Sequence, residues 1–180
     1  MRLFNEKGYE ATTIRDICNE IGITAPSFYY YFDSKKVLYL QLLKESEAIH
    51  NQFVEEAIDN CPSQVVVDRL QYIYRTLLDF YRKQKEEYTF LMRNVHFPVA
   101  SMREQIYEMH TAWKKQYAEK VGDFIGKSQK RKMPKTEMSE ILEAYNRFLT
   151  GFLFQLISGQ VELTDENADK AWGFFWNGIQ

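Results

Sequence analysis

The segment from Thr13 to Lys36 constrains this 180-residue chain most, because its sequence predicts two short helices joined by a tight turn. Thr13 and Asp16 form a capping pattern, since a threonine oxygen accepts from an unpaired backbone N–H and an aspartate suits the positive end of a helix. The apolar residues of this helix recur at helical spacing and predict one stripe that faces a core: Ile14, Ile17, Cys18 and Ile21. Gly22 then ends the helix.

A second helix is predicted to begin near Ala25, after Ile23 has filled the turn. Thr24 is placed to cap it, and Pro26 fits its first turn, where the missing N–H would have no helical partner. Spacings of three and four residues place an aromatic inner face on this helix: Phe28, Tyr31 and Phe32. Small and hydroxyl-bearing residues form the outer face: Ala25, Pro26, Ser27, Tyr29 and Tyr30.

This outer face has the chemistry of a DNA-binding surface. Small side chains let a helix end approach a groove, hydroxyls bond to phosphate oxygens or base edges, and Ala or Pro can touch a thymine methyl. Lys35 adds a positive charge that we expect to reach a phosphate. An ordinary helical hairpin of a core is the alternative, and the tyrosines on an otherwise exposed face favour DNA binding.

A longer string of residues extends this pattern over residues 2–45: Phe4-Asn5-Glu6-Lys7-Gly8-Tyr9-Glu10-Ala11-Thr12-Thr13, Ile14, Asp16, Ile17, Gly22, Ile23, Phe28-Tyr29-Tyr30-Tyr31-Phe32, Ser34-Lys35 and Leu38. The string resembles the DNA-binding domain of the TetR (tetracycline repressor) family. The resemblance implies a three-helix domain with a helix-turn-helix. It also implies these DNA contacts: Thr13, Thr24, Ala25, Pro26, Ser27, Tyr29, Tyr30, Tyr31 and Lys35. At Tyr31 we follow the family, which turns this position toward phosphate, although helical spacing faces it inward.

The first helix is expected to be short, because the chain reaches Gly8 soon after Met1 and average helices run about 11–12 residues. Family members carry a full first helix after a basic tail. Either the chain lacks its natural N-terminus or the protein begins short. In the second case Leu3 and Phe4 must cover the apolar stripe almost alone, and affinity for DNA suffers.

Composition excludes a strong positive field over the whole protein. The net charge is −2 and the isoelectric point is near 6.0, so recognition of nucleic acid must be local, at a helix N-terminus and a few lysines. Cys18 and Cys61 are far apart and no secretory leader precedes them, which favours reduced thiols. No run approaches the roughly 18 apolar residues of a membrane span. We expect a soluble, cytoplasmic protein.

The sequence predicts an all-α fold in two parts, a helix-turn-helix domain over residues 1–45 and a larger helical effector-binding and dimerisation domain over residues 46–180. Ser34 caps a long helix that ends at Asp59. Further helices are predicted over 63–82, 88–96, 102–126, 141–159 and 164–179, with a basic loop at 127–135.

Residues 148–157 are apolar on nearly every side, which indicates a helix covered on two faces. One cover is its own core, and we expect the other to be a second subunit in a four-helix, two-fold symmetric interface. The predicted interface residues are Phe148, Phe152, Leu156, Ala171, Phe174, Phe175 and Ile179. A larger monomeric core is the alternative.

Soft and aromatic residues cluster around Pro98 and suit an adaptable apolar cavity for a small effector. Arg93 and Arg147 stand in apolar segments, where an arginine needs a carboxylate, a carbonyl or a ligand anion. The predicted ligand-binding residues are Phe90, Arg93, His96, Phe97, Met109, His110, Trp113 and Arg147. Plain core packing is the alternative for this aromatic stripe.

Signals for catalysis are weak. Glu47-x-x-His50 is half of the di-iron bundle signature, and without a second copy we expect it to be solvated on a charged surface. The three histidines are scattered, neither cysteine lies near them, and neither a phosphate-binding glycine loop nor a nucleophile elbow occurs. We expect no enzyme activity, no metal and no cofactor.

The favoured function is a homodimeric, ligand-responsive transcriptional regulator that binds an inverted-repeat DNA operator, and by resemblance a repressor. The alternatives are a helical metal-dependent oxygenase and a dimeric small-molecule-binding protein that has lost DNA binding.

Overall fold

The computed structural model describes residues 1–127 and 134–178. Over these ranges the chain forms nine α-helices, a short 3-10 turn at Ala100–Met102 and no strand, which confirms the all-α prediction. The helices are α1 (Arg2–Ala11), α2 (Ile14–Ile21), α3 (Ala25–Tyr31), α4 (Lys35–Asn60), α5 (Val66–Lys83), α6 (Lys85–His96), α7 (Arg103–Gly126), α8 (Lys135–Ile157) and α9 (Asp165–Gly178). Residues 128–133 of the predicted basic loop, and Ile179 of the predicted interface, lie outside the described residues. In the described ranges no helix has the length and apolar character needed to cross a bilayer.

Two compact units divide the chain. The first comprises Met1–Asn51 and Tyr81–Trp113, and the second comprises Gln52–Phe80 and Lys114–Gln180. This division differs from the boundary predicted at residue 45, because α6 shares a core with the N-terminal helices. The ring of Phe90 on α6 lies 4.9 Å from Tyr39 and 6.2 Å from Phe4 between centroids. A DNA-binding domain over residues 1–45 therefore stays a functional prediction, and it does not coincide with a compact unit of the structure.

Local hydrogen bonds set the helix ends at the N-terminus as the sequence predicts. Thr13 caps α2 in a reciprocal capping box with Asp16, and Gly22 ends that helix at a left-handed φ of 71°. Thr24 caps α3 through the backbone N–H of Ser27. These short-range contacts fix where the two helices begin and end without a distant partner.

Burial in the first unit corrects the prediction for Ile21 and agrees with the resemblance at Tyr31. Phe28, Ile17 and Cys18 are buried as expected. Ile21, predicted on the core stripe, is exposed at the end of α2, and Tyr31, which spacing faced inward, is exposed as the resemblance implies. Both residues lie in the last turn of a short helix, where the chain turns away before a neighbour can cover them.

The second unit has a core of large aromatic side chains joined by buried hydrogen bonds. The Tyr74 hydroxyl donates to the Ala168 carbonyl at 3.0 Å, and the Tyr145 hydroxyl donates to the Leu70 carbonyl at 3.0 Å. Trp172 on α9 stacks on Tyr74 with 5.6 Å between ring centroids. These bonds tie α5 to α8 and α9 and leave the buried hydroxyls satisfied.

Candidate functional site

The outer face of α3 is exposed along its whole length. The expected DNA contacts Thr24, Ala25, Pro26, Ser27, Tyr29, Tyr30 and Tyr31 are all open to solvent. Tyr30 projects furthest, with 82% of its surface exposed, and its ring lies edge-on to Tyr31 at 4.9 Å. Tyr29 packs edge-on against the buried ring of Phe28 at 5.5 Å. The structure thus leaves the hydroxyl-bearing residues of α3 and of its cap exposed to solvent.

Thr13 lies at the exposed start of α2. Its hydroxyl donates to Asp16 Oδ2 at 2.7 Å, and the Thr13 backbone N–H donates to the same oxygen at 2.9 Å. The backbone hydrogen bond from Thr13, followed by the bond from its hydroxyl, holds the pKa of Asp16 below its usual value. The capping box therefore keeps an ionised carboxylate at this helix end and fixes its geometry.

Lys35 does not extend into solvent as the sequence led us to expect. Its ammonium donates to the backbone carbonyl oxygens of Tyr9, at 2.6 Å, and Thr12, at 2.8 Å. It also lies 4.2 Å from the centroid of the Tyr9 ring. The expectation of a side chain extended into solvent is corrected here, because the ammonium donates to carbonyls at the end of α1. Its contact with DNA stays a prediction.

Two of the expected effector residues meet α4 within the first unit. His110 Nδ1 lies 2.8 Å from Glu47 Oε1, and the Trp113 indole N–H donates to Asn51 Oδ1 at 3.0 Å. His50 lies edge-on to Trp113 at 5.0 Å, and burial lowers the pKa of His50 to about 4. We call these residues, Glu47, His50, Asn51, His110 and Trp113, the α4–α7 polar cluster.

The α4–α7 polar cluster overturns one expectation and contains three residues that the sequence analysis did not assign to a site: Glu47, His50 and Asn51. Glu47 and His50 were expected to be solvated, yet His50 is buried and the Glu47 side chain is largely covered. Glu47 and Asn51 lie four residues apart, on the face of α4 that meets α7. The four-residue spacing showed in the sequence that these two residues share a face of α4. It could not show which helix would pack against that face.

The remaining effector predictions fall in other places. Phe90 is part of the packed core of the first unit, and Met109 is half-buried beside that core. The Arg93 guanidinium donates to the backbone carbonyl of Asn5, while His96 and Phe97 are exposed. Arg147 belongs to the second unit, where it is exposed and pairs with Glu143 one turn away. Of the three kinds of partner left open for Arg147, the structure shows a carboxylate, and its contact with a ligand stays a prediction.

The predicted dimer residues divide into buried and exposed groups. Phe152, Leu156 and Phe175 are covered by the second unit's own core, and the half-buried Phe148 stacks on Phe175 at 4.7 Å. These buried side chains are corrected to core residues, because their own chain already covers them. Phe174 is 81% exposed on α9, and Phe154, which the prediction omitted, is 45% exposed on α8. Ala171 is half-buried.

Within the described residues no three His, Cys, Asp or Glu side chains come together in an arrangement that could hold a metal ion.

Comparison with known proteins finds a family match in the N-terminal segment. Residues 1–42 match the family described as bacterial regulatory proteins, tetR family. The chain is similar to the biofilm operon icaADBC HTH-type negative transcriptional regulator IcaR of Staphylococcus epidermidis, with 33% identity over 78 residues, 43% of this chain and 40% of that protein. It is also similar to IcaR of Staphylococcus aureus, with 52% identity over 42 residues, 23% of each chain. The chain thus matches less than half the length of these curated relatives.

Solved structures share the fold over nearly the whole chain. The TetR family transcriptional regulator PfmR from Thermus thermophilus superposes with a TM-score of 0.66 and 14% identity, covering 99% of this chain and 95% of that one. A TetR family transcription regulator from Marinobacter aquaeolei gives a TM-score of 0.57 and 16% identity, covering 98% and 88%. At these identities the likeness shows the fold alone.

Proposed function

We propose that this chain, whose residues 1–42 match the tetR family of bacterial regulatory proteins, is a homodimeric transcriptional repressor whose binding to operator DNA responds to a small effector. The activity is the binding of double-stranded DNA, without catalysis. The observation that carries the proposal is the exposed outer face of α3 beside the capped start of α2. The likeness to negative transcriptional regulators, at 52% identity over 42 residues, supports the same function.

Contact with DNA is proposed through two helix ends and the tyrosine face. The N-terminus of α2 carries unpaired backbone N–H groups and a positive dipole end, both suited to a phosphate. The small residues Ala25 and Pro26 allow α3 to enter a major groove, where Ser27 and the tyrosine hydroxyls are able to reach base edges and phosphates. With a net charge of −2 over the whole chain, such local contacts have to supply the affinity.

A duplex selected from a random library by the wild-type protein provides the probe for this proposal. Tyr30→Ala should weaken binding by about 1.5–3 kcal/mol, roughly 10- to 150-fold, if its hydroxyl bonds to a charged phosphate. Tyr107→Ala is the matched control, because Tyr107 is also an exposed tyrosine of the first unit but lies on α7. Equal affinities for wild type and Tyr30→Ala would contradict the α3 assignment.

Dimerisation is proposed through the exposed part of α8 and α9, centred on Phe154 and Phe174. Apolar side chains that are exposed together on one surface mark a contact site, and both of these large rings are exposed on helices that pack against each other. A second copy of the chain covers them in a two-fold interface, in which each subunit presents the same residues. Paired subunits would then present two α3 helices to an inverted-repeat operator.

The effector response is proposed to act through α4 within the first unit. The segment of α4 from Lys35 to Asn51 carries Tyr39 and Leu43 in the core under α1, and Glu47 and Asn51 in the α4–α7 polar cluster. A ligand that replaces the contacts of His110 or Trp113 would therefore shift the same helix that begins directly after α3. Such a ligand favours one position of α4 and so changes the fraction of protein molecules that are able to bind DNA.

A compound panel tests this response directly. Apolar and cationic small molecules are screened for a rise in the melting temperature of the wild-type protein, and those that bind are added to the protein–duplex complex. A compound that stabilises the protein should release the DNA, and His110→Ala should reduce both effects. Compounds that bind equally well to wild type and His110→Ala would place the effector site elsewhere.

A further inference from the structure

His110 has one ring nitrogen that no group of the protein binds. Its side chain is 5% exposed, and its Nδ1 atom lies 2.8 Å from Glu47 Oε1. The other ring nitrogen, Nε2, is buried and has no hydrogen-bond partner. Most buried polar atoms of folded proteins are hydrogen-bonded, and leaving one unpaired is destabilising. The Nε2 atom of His110 therefore calls for a partner from outside the chain.

Glu47 decides what kind of partner this nitrogen takes. An ionised carboxylate only accepts hydrogen bonds, so it binds the form of His110 that carries a proton on Nδ1. In a neutral imidazole of this form, Nε2 has a lone pair and is an acceptor. A carboxylate that holds a histidine in this way also fixes the orientation of the ring and raises the basicity of its second nitrogen. His110 Nε2 is thus a fixed acceptor that selects a hydrogen-bond donor.

A water molecule fits this position poorly. A buried water needs about two to four polar partners, but polar groups of the α4–α7 polar cluster already bond to one another. Glu47 binds His110, and Asn51 Oδ1 accepts from the Trp113 indole N–H at 3.0 Å. Aromatic rings lie beside these groups, since the Trp113 ring is 6.1 Å from His110 and 5.0 Å from His50 between centroids. A single donor on an apolar molecule matches this environment better than a water does.

Burial favours a ligand that is both aromatic and uncharged. His110 and Trp113 are 4% and 8% exposed, and a charge buried there without a partner would be costly. The carboxylate of Glu47 already binds His110 and is not open to a cation. Aromatic rings pack well against an indole, and the half-buried Met109 is a flexible side chain that adjusts to an inserted ring.

We propose that the α4–α7 polar cluster binds a phenol, an uncharged aromatic molecule whose hydroxyl group donates to Nε2 of His110. This inference rests on the proposed function, because it gives the small effector its chemical class. Through Nδ1 the same imidazole is bonded to Glu47 of α4. The phenol therefore acts on the helix that begins after α3.

Three probes of similar shape test the donor. The hydroxyl of p-cresol donates, p-methylanisole has the oxygen without the proton, and toluene lacks the oxygen. Calorimetry is done at about pH 8, above the range in which histidines ordinarily titrate. The wild-type protein should bind p-cresol at least about tenfold more tightly than either other probe. In NMR spectra p-cresol should move the resonance of His110 Nε2, and toluene should leave it in place.

His110→Asn separates the two ring nitrogens. The asparagine amide can keep the donor that binds Glu47, because its nitrogen lies close to the position of Nδ1, but it has no atom at the position of Nε2. This variant should lose the preference for p-cresol and bind the three probes with equal affinity. Glu108→Gln is the matched control, since it changes one polar group of an exposed neighbour on α7 and should keep the wild-type preference.

Equal binding of the probes to the wild-type protein, or no binding of p-cresol, would overturn the inference. A preference for p-cresol that survives in His110→Asn would overturn it as well, because the hydroxyl would then bind elsewhere. If His110→Asn does not fold, the Nε2 resonance of the wild-type protein decides, and a resonance that p-cresol leaves in place refutes the assignment.

Release of the library-selected duplex by p-cresol is measured separately. Release supports the inference, whereas a bound p-cresol that leaves the duplex in place would overturn its role as a model of the effector. If the wild-type protein selects no duplex, the proposed function itself fails. The comparison of the three probes then still decides whether His110 binds a phenol.

Discussion

Replacing Phe174 by alanine should break the proposed dimer without harming the subunit. The side chain is 81% exposed on α9, so its removal from a single subunit should change folding stability by no more than about 0.5 kcal/mol. Burying a Phe side chain at an interface is worth about 1.5–3 kcal/mol. A two-fold interface contains two copies of each residue, so Phe174→Ala should cost about 3–6 kcal/mol of association, a dimer dissociation constant roughly 10²- to 10⁴-fold higher.

Sedimentation equilibrium over a range of protein concentrations measures this change directly. Phe97→Ala is the matched control, since Phe97 is an exposed phenylalanine of the first unit, 69% open to solvent, and its loss should leave the dimer unchanged. Phe175→Ala provides the opposite control. That ring is buried in the second unit, and its removal should destabilise the fold by about 3–5 kcal/mol.

The reasoning is refuted if Phe174→Ala and Phe97→Ala sediment identically to wild type at every concentration. The exposed face of α8 and α9 would then not be the subunit interface. Phe154→Ala, which removes the other exposed ring of this face, extends the test, and its effect should be smaller because more of the ring is already covered.

Three further predictions concern the interior of the first unit. Trp113→Phe keeps most of the ring but removes the indole N–H that bonds to Asn51, so thermal melts should show a loss of about 1–3 kcal/mol. Trp113→Ala should lose about 3–5 kcal/mol if the site is a packed core, and a much smaller loss would indicate a pocket. Tyr39→Phe leaves the buried Asn94 Oδ1 without its 2.9 Å donor and should cost about 1–3 kcal/mol in urea unfolding. Because burial lowers the pKa of His50 to about 4 in the folded chain, against about 6.5 unfolded, the unfolded state binds more protons between those values. The free energy of unfolding therefore falls by about 3 kcal/mol as the pH drops from above 6.5 to below 4, because His50 binds a proton more readily in the unfolded chain. His50→Phe should flatten the pH dependence of stability in that window, and an unchanged profile would contradict the assignment.

Sequence by itself determined the features that depend on neighbours within four residues. The caps at Thr13 and Thr24, the end of α2 at Gly22 and the start of α4 after Ser34 were all predicted, and the structure confirms them. Each is a hydrogen bond or a backbone conformation that the local residues specify without a distant partner. The all-α fold follows from the same periodic, locally capped pattern.

Tertiary structure alone decided which side of a helix is covered. Residues 148–157 are apolar almost all round, so spacing could not show that Phe152 faces the core while Phe154 remains exposed. Glu47 was expected to be solvated because its own helix is charged, and it is covered because α7 brings His110 to it, 63 positions away in sequence. Lys35 gave the sharpest difference, since the carbonyls that bind it are 23 and 26 residues away. A side chain's role depends on the partner that lies nearest to it in space. A single sequence shows the chemistry of the side chain but not the partner that folding brings to it.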